Sequence, residues 1–205
     1  MIIKEESMGK LKGTQTIQNL MASFVGESQA RNRYTFFASI AKKEGYQQIG
    51  DIFLETAGNE KEHGEIFYKY IADNEYVMGE AVDLNVNANF PVALGDTKNN
   101  LIHAAAGEKD EWHTLYPKFA EIAKEEGFPE IAENWLEICE AEKAHETRYL
   151  KLAANIESGT VFKRSGDVQW KCGNCGYIHT GAEAPDVCPA CKHDQAYFEL
   201  FAETY

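Results

Sequence analysis

Residues 49–70 read IGDIFLETAGNEKEHGEIFYKY. Alternating steps of four and three carry one stripe through Ile49, Phe53, Thr56, Glu60, His63, Phe67 and Tyr70. That spacing lays a single face along an α-helix and suits shallow-angle packing in a bundle. Glu60 and His63 interrupt an otherwise core-forming face. Residues 131–152 repeat the pattern with Ile131, Trp135, Ile138, Glu142, His145, Tyr149 and Leu152. Two more segments show helical periodicity: Ile17, Leu20, Phe24, Glu27, Arg31, Tyr34, Ala38, and Leu101, Ala104, Glu108, Glu111, Leu115, Phe119.

The four segments fall into two related halves. FASIAKKEGY at 37–46 returns 82 residues later as FAEIAKEEGF at 119–128, and Glu60-Lys-Glu-His63 returns as Glu142-Lys-Ala-His145. Gly45 and Gly127 close the first helix of each half, and Pro129 suits the first turn of the next one. Tight turns at those glycines predict two antiparallel hairpins. The stretch from Asp73 to Gly95, Asn-rich and containing Pro91, is too long for a bundle turn. It predicts the one long crossover of a ferritin-like four-helix bundle.

After Ala154 the helical period stops. Glu157-Ser-Gly-Thr160 reads as a short linker, and the rest is rich in Gly, Cys and aromatic residues. The expected division is a bundle over residues 11–156 and a small β-rich metal module over 157–205. So short a module needs a metal to supplement its core. The 205 residues are 44% hydrophobic and carry a net charge of −13, which argues against a nucleic-acid partner. No apolar run approaches the length of a membrane span. Residues 1–7 lack a secretory apolar segment and read as an extension ahead of an alternative start at Met8.

Glu27, Glu60, Glu108 and Glu142 occupy the core stripes of the four helices. A buried carboxylate is costly unless paired or metal-bound. His63 and His145 each follow a glutamate by three residues and share its helix face. One Glu from each of two helices plus Glu-x-x-His from each of the other two is the ligand set of a di-iron or di-manganese carboxylate site. A lone Glu-x-x-His is usually a solvated pair; its duplication, with a stripe glutamate in each partner helix, points to metal. Glu111 adds a seventh candidate ligand on one side only, since Ala30 holds the corresponding place. Glu27 to Tyr34 spans seven residues but Glu108 to Tyr116 spans eight. One inserted residue is commonly absorbed as a π-bulge. Tyr34 and Tyr116 are then candidate donors to the carboxylates, with packed core aromatics as the alternative. His103, His113, His179 and His193 have no such companions.

Cys172-Gly-Asn-Cys175 and Cys188-Pro-Ala-Cys191 form two C-x-x-C knuckles. With no export signal, a tetrahedral four-sulfur metal site is favoured over two disulfides. Zinc and iron both fit; an aromatic core of Trp170, Tyr177, Tyr197, Phe198 and Phe201 favours a redox iron shielded from water. Cys139, one turn before Glu142, reads as a small core residue.

Together these motifs, with Gly26-Glu27-Ser-Gln-Ala-Arg-Asn-Arg-Tyr34 and Ala106-Gly-Glu108, resemble the rubrerythrin family over nearly the whole chain, from about Leu11 onward. Lys192 departs from the pattern, since free-standing rubredoxins usually have Gly there. The resemblance implies three irons per subunit. A di-iron centre would fall on Glu27, Glu60, His63, Glu108, Glu111, Glu142 and His145, and a single iron on Cys172, Cys175, Cys188 and Cys191. It further implies a cytoplasmic peroxidase, active against oxidative stress, that reduces hydrogen peroxide to water. Electrons would come from NAD(P)H through a donor protein, either a rubredoxin or a reductase. The expected assembly is a homodimer or larger homo-oligomer, head to tail. An iron-oxidising or iron-storage protein is the alternative. The asymmetry at Glu111 adds one expectation: Glu111 and His63 exchange on one iron, the hard carboxylate favoured by Fe(III) and the imidazole accepted by Fe(II).

Overall fold

A computed structural model describes residues 11–73 and 81–204. The N-terminal extension and residues 74–80 of the connection lie outside the described residues. The chain forms α1 (Gln15–Lys43), α2 (Gln47–Ala72), α3 (Thr97–Asp110), a π-helical segment (Glu111–Leu115), α4 (Tyr116–Glu125) and α5 (Pro129–Glu157). Strands β1 (Lys163–Cys172), β2 (Ile178–Glu183) and β3 (Phe198–Leu200) follow. The architecture is therefore mainly helical and ferritin-like, with a small antiparallel sheet at its C-terminal end.

Each helix starts and stops for local reasons. Thr14 caps α1 by accepting from the Ile17 N–H, and Asp96 caps α3 by accepting from the Asn99 N–H at 2.8 Å. Gly45 and Gly127, at φ +85° and +89°, take the left-handed turns that let α2 and α5 reverse direction. Between α2 and α3, residues 81–96 form no helix or strand.

The repeat is also built into tertiary capping. Glu126, at the end of α4, accepts from both the Thr16 N–H and Oγ1 at the start of α1, at 2.8 and 2.6 Å. Its repeat partner Glu44, after α1, accepts from the Thr97 N–H and Oγ1 at the start of α3, at 2.9 and 2.6 Å. Each half thus satisfies orphan donors at the first turn of the other half.

Two apolar clusters flank a polar layer. On one side lie Ile17, Leu20, Phe67, Tyr116 and Trp135; on the other lie Tyr34, Phe37, Phe53, Leu101 and Tyr149. Glu27 sits between Leu20 and Tyr34, Glu60 between Phe53 and Phe67, and Glu142 between Trp135 and Tyr149. Burying each large aromatic side chain is worth about 1.5–3 kcal/mol, so the clusters hold the carboxylate layer in place from both ends. Cys139 is a buried member of the first cluster, as its sequence context suggests.

Two stripe assignments need correction. Arg31 faces solvent; Ala30 and Arg33 are buried in its place. Beyond the π-segment the buried side chains are Tyr116, Ala120 and Ala123, whereas Leu115 and Phe119 are only partly buried. The extra residue in the π-turn, which the eight-residue step from Glu108 to Tyr116 marks, advances the helix phase by one position beyond the stripe through Leu115 and Phe119.

The sheet has order β2-β1-β3, with Trp170 paired to His179 on one side and Leu200 on the other. Trp170, Cys172, Ala184, Cys188 and Phe198 form its buried core, with Phe162, Val168, Tyr177, Cys191 and Tyr197 packed against them. Phe201 lies outside that cluster and Phe162, from the linker side, takes its place. The Phe162 ring stacks on Tyr46 at 6.2 Å and an interplanar angle of 7°, seating the sheet against the start of α2.

Candidate metal centres

Four helices place one acidic side chain each at the same depth. Glu27, Glu60, Glu108 and Glu142 are no more than 1% exposed, and His145 is 8% exposed. Gly64 makes room for this layer: a Cβ there would stand 3.3 Å from the Glu27 Cβ, so its absence lets α1 and α2 approach closely beside His63.

The side chains converge as two overlapping groups. Glu27, Glu60, His63 and Glu142 form one, and Glu60, Glu108, Glu142 and His145 the other; within each, the ligand atoms lie within 4.8 Å of one another. Glu60 and Glu142 belong to both groups.

Apart from His145 Nδ1, which meets Glu142 Oε2 at 2.9 Å, the donors point at common centres rather than at each other. His63 Nδ1 lies 2.8 Å from Glu142 Oε1 and 3.0 Å from Glu60 Oε2. Yet His63 Nδ1, both Glu60 oxygens, Glu142 Oε1, Glu27 Oε2 and Glu108 Oε2 all lack a partner of hydrogen-bond geometry. Burial and the neighbouring carboxylates hold Glu27 and Glu60 well above the usual carboxylate range. Burial alone would lower the His145 pKa, but the neighbouring Glu108 and Glu142 carboxylates, the latter hydrogen-bonded to it, hold it at about 9. Buried oxygens this poorly satisfied fit cations of hard, oxygen-preferring character.

Two tyrosines brace the layer. Tyr116 Oη donates to Glu27 Oε1 at 2.5 Å, and Tyr34 donates to Glu108 Oε1. Both sequence-identified tyrosines therefore bond the carboxylates from outside, while their rings pack in the flanking clusters.

The cysteines make the other site. Cys172 and Cys191 Sγ are 3.7 Å apart, as are Cys175 and Cys188. A tetrahedron with metal–sulfur bonds of about 2.3 Å has edges of about 3.8 Å, so the spacing fits one ion and is far too long for disulfides. The His193 backbone N–H holds the Cys191 thiol down at about 5. The two knuckles share one turn: Gly176 and Lys192 each donate a backbone N–H to the first cysteine of the pair, at 2.8 and 3.0 Å. Both residues adopt positive φ, +79° at Gly176 and +64° at Lys192.

The rubrerythrin family model matches residues 18–153, and the model of the rubrerythrin rubredoxin-like domain matches residues 170–199. The chain belongs to the rubrerythrin family. A rubrerythrin from Clostridium perfringens is 60% identical over 97% of this chain and all of its own length. One from Nitratidesulfovibrio vulgaris is 48% identical over 94% of this chain and 97% of its own. A solved structure of nigerythrin in a partially reduced state is 31% identical, covers 96% of this chain and 90% of its own, and superposes with a TM-score of 0.60. A Desulfovibrio desulfuricans bacterioferritin, 20% identical with a TM-score of 0.61 over 71% of this chain and 82% of its own, shares the fold alone. As a rubrerythrin-family member, the chain carries a carboxylate/histidine site of the di-iron type and a four-cysteine rubredoxin-like site: two iron centres, three irons.

Among rubrerythrin-type candidate ligands, Glu111 stands apart. It begins the π-segment and belongs to neither group among the described residues. Its carboxylate lies over the bare backbone of Gly26, where a Cβ would stand 3.7 Å from Glu111 Oε1 and 3.9 Å from the Phe90 ring. It lines an open cavity of about 990 Å³ bordered by α1, residues 85–93, α3, the π-segment and α4. Arg33 lines the same cavity, although the helical spacing places Arg31 rather than Arg33 on the stripe. His103 and His113 are exposed, and His193 packs edge-on against Tyr197.

Proposed function

We propose that this protein is a non-haem di-iron peroxidase that reduces hydrogen peroxide to water, consuming two electrons and two protons per peroxide. The observation that carries the reading is the placement of the carboxylates: six side chains form two groups sharing Glu60 and Glu142, while a seventh, Glu111, waits in an adjoining cavity. In this reading Glu27, Glu60, His63, Glu108, Glu142 and His145 hold two irons, Glu111 exchanges with His63 on one of them, and Cys172, Cys175, Cys188 and Cys191 hold the third. The division at residue 156/157 between bundle and cysteine module belongs to the same proposal.

An iron pair, when bound, supplies the two electrons that cleavage of the O–O bond consumes. The chain's own groups do the rest. Tyr34 and Tyr116 fix the outer oxygens of Glu108 and Glu27, so those carboxylates cannot rotate away. The cavity beside Glu111 gives a small oxidant room to approach that carboxylate. Carboxylate is the better ligand for Fe(III) and imidazole is tolerated by Fe(II), so His63 would serve a bound iron in the reduced state and Glu111 in the oxidised one.

Electron delivery supports a head-to-tail homodimer or larger homo-oligomer. Within one chain the sheet rests on Tyr46, and Glu60 lies roughly 21 Å further along α2 at 1.5 Å per residue. A partner's cysteine module beside the bundle centre shortens that gap. A donor protein, either a rubredoxin or an NAD(P)H-dependent reductase, in the cytoplasm completes the route; among the described residues no helix is long and apolar enough to cross a membrane.

The test is to mix chemically reduced protein with hydrogen peroxide or with dioxygen and follow reoxidation of both centres. Rapid reoxidation by one equivalent of peroxide supports the peroxidase. Slow reaction with peroxide, with many irons accumulating per subunit, favours storage and overturns it.

A further inference from the structure

Arg33 is an arginine in the wrong place for a surface charge. It is 8% exposed. Its Nε donates to Gln29 Oε1 at 2.7 Å, but its Nη1 is buried without a partner. Its Nη2 lies 3.5 Å from where a Cβ on Gly107 would stand, so the guanidinium rests against bare backbone of α3. The guanidinium carbon also sits 5.7 Å from the Tyr34 ring centroid. Leaving a buried guanidinium N–H unpaired is costly, which calls for an acceptor absent from its present contacts.

The same cavity wall presents that acceptor. Arg33, Gln29, Gly107, Asp110 and Glu111 all line the space between α1 and α3. The arrangement has internal logic: Gly26 of α1 faces Glu111, and its repeat counterpart Gly107 of α3 faces Arg33. The two glycines leave matching hollows, one filled by a carboxylate and the other by a cation. The field of Arg33 also opposes the rise in proton affinity that burial, Glu108 and Glu142 impose on Glu111.

We propose that Arg33 is a positioning residue that receives the Glu111 carboxylate when it is off the iron, its unpartnered Nη1 supplying the counter-charge for the released state. The proposal rests on the exchange of Glu111 and His63 described above. It adds the reason the Glu111 carboxylate can let go: the charge lost from the metal is met by a guanidinium already in the wall. Removing Arg33 then penalises the released state, and with it the reduced form of the pair. Asp110, exposed on the same wall, is the rival partner.

The experiment is a double-mutant cycle read by the midpoint potential of the di-iron pair and by crystal structures of the reduced protein. It uses wild type, Arg33→Gln, Glu111→Ala and the double variant, each confirmed to bind two irons in the bundle. Arg33→Gln should raise the oxidised-to-reduced ratio at a fixed potential by roughly tenfold, the scale of one charge-assisted hydrogen bond. Reduced crystals should then show Glu111 still near the irons. In the Glu111→Ala background the same substitution should change the ratio less than about twofold. An undiminished shift in that background means that Arg33 acts on the irons directly and overturns the proposal, as does no shift at all. An equal shift from Asp110→Asn reassigns Arg33 to Asp110 and also overturns it. Arg33→Lys, which keeps the charge but not the fork, should give a smaller shift that likewise vanishes with Glu111; it carries the cycle if Arg33→Gln does not fold. Identical ligands on both irons of wild type in both redox states would instead refute the exchange itself.

Discussion

Tyr116 and Glu27 come from opposite halves of the repeat and meet by a 2.5 Å hydrogen bond inside the core. Tyr34 and Glu108 make the mirror-image bond. Each half therefore supplies the hydroxyl that steadies the other half's carboxylate, and the insertion in the π-segment is what brings Tyr116 into register to do it.

Tyr116→Phe keeps the ring packed against Phe67, at 5.7 Å between centroids, but deprives Glu27 Oε1 of its donor. Loss of such an outer bond to a metal-binding carboxylate costs about 10–100-fold in metal affinity or activity. The expected outcome is an intact bundle with weakened iron binding, measured by competition with a chelator. Unchanged affinity and turnover would make the tyrosine a packing residue only.

Glu111→Ala should retain two irons, because the six converging side chains are untouched. Peroxide turnover should fall at least roughly tenfold, the loss expected when one ligand interaction of the reactive state goes missing. Iron analysis with peroxide kinetics checks both halves of this expectation.

Cys172→Ser disturbs the four-sulfur site alone, since the bundle has its own two apolar clusters. Donor-driven turnover should be lost. Protein reduced chemically should still consume one equivalent of peroxide, which single-turnover kinetics will show; failure there would mean that the cysteine module does more than deliver electrons.

Lys192 holds φ +64°, a conformation in which a Cβ costs about 1–2 kcal/mol. Gly176 occupies the same turn of the other knuckle without that strain. Lys192→Gly should therefore stabilise the cysteine module by about 1 kcal/mol, less the exposed contact from Lys192 Nζ to the Pro189 carbonyl. Thermal loss of the four-sulfur iron absorbance will report it.

Glu126 offers a pH test away from the metals. Its limited burial raises its proton affinity, but bonds from the Thr16 hydroxyl and the Gln15 and Thr16 amides outweigh that and depress its pKa. A depressed carboxylate stabilises the fold above its unfolded pKa, about 4.3, and the benefit disappears as pH falls through the folded value. Glu126→Gln should cost about 1 kcal/mol at pH 7, as for a lost helix cap. The gap between wild type and variant should narrow toward pH 3, in melts of each across that range.

Periodic and short-range features were legible in the sequence. Helical stripes, the duplicated Glu-x-x-His, the glycine stops and the C-x-x-C spacing are local, because a helix turn or a knuckle places residues three and four apart together whatever surrounds them. The eight-residue step from Glu108 to Tyr116 even marked the π-segment. Which neighbours those side chains meet was settled by three-dimensional packing. It put Glu111 outside both ligand groups, buried Arg33 where Arg31 was expected, and brought in Phe162 for Phe201. It also paired Glu126 with Thr16 and Glu44 with Thr97 across the two halves. These outcomes depend on helix phase and on packing between distant segments, which periodicity within one segment does not encode.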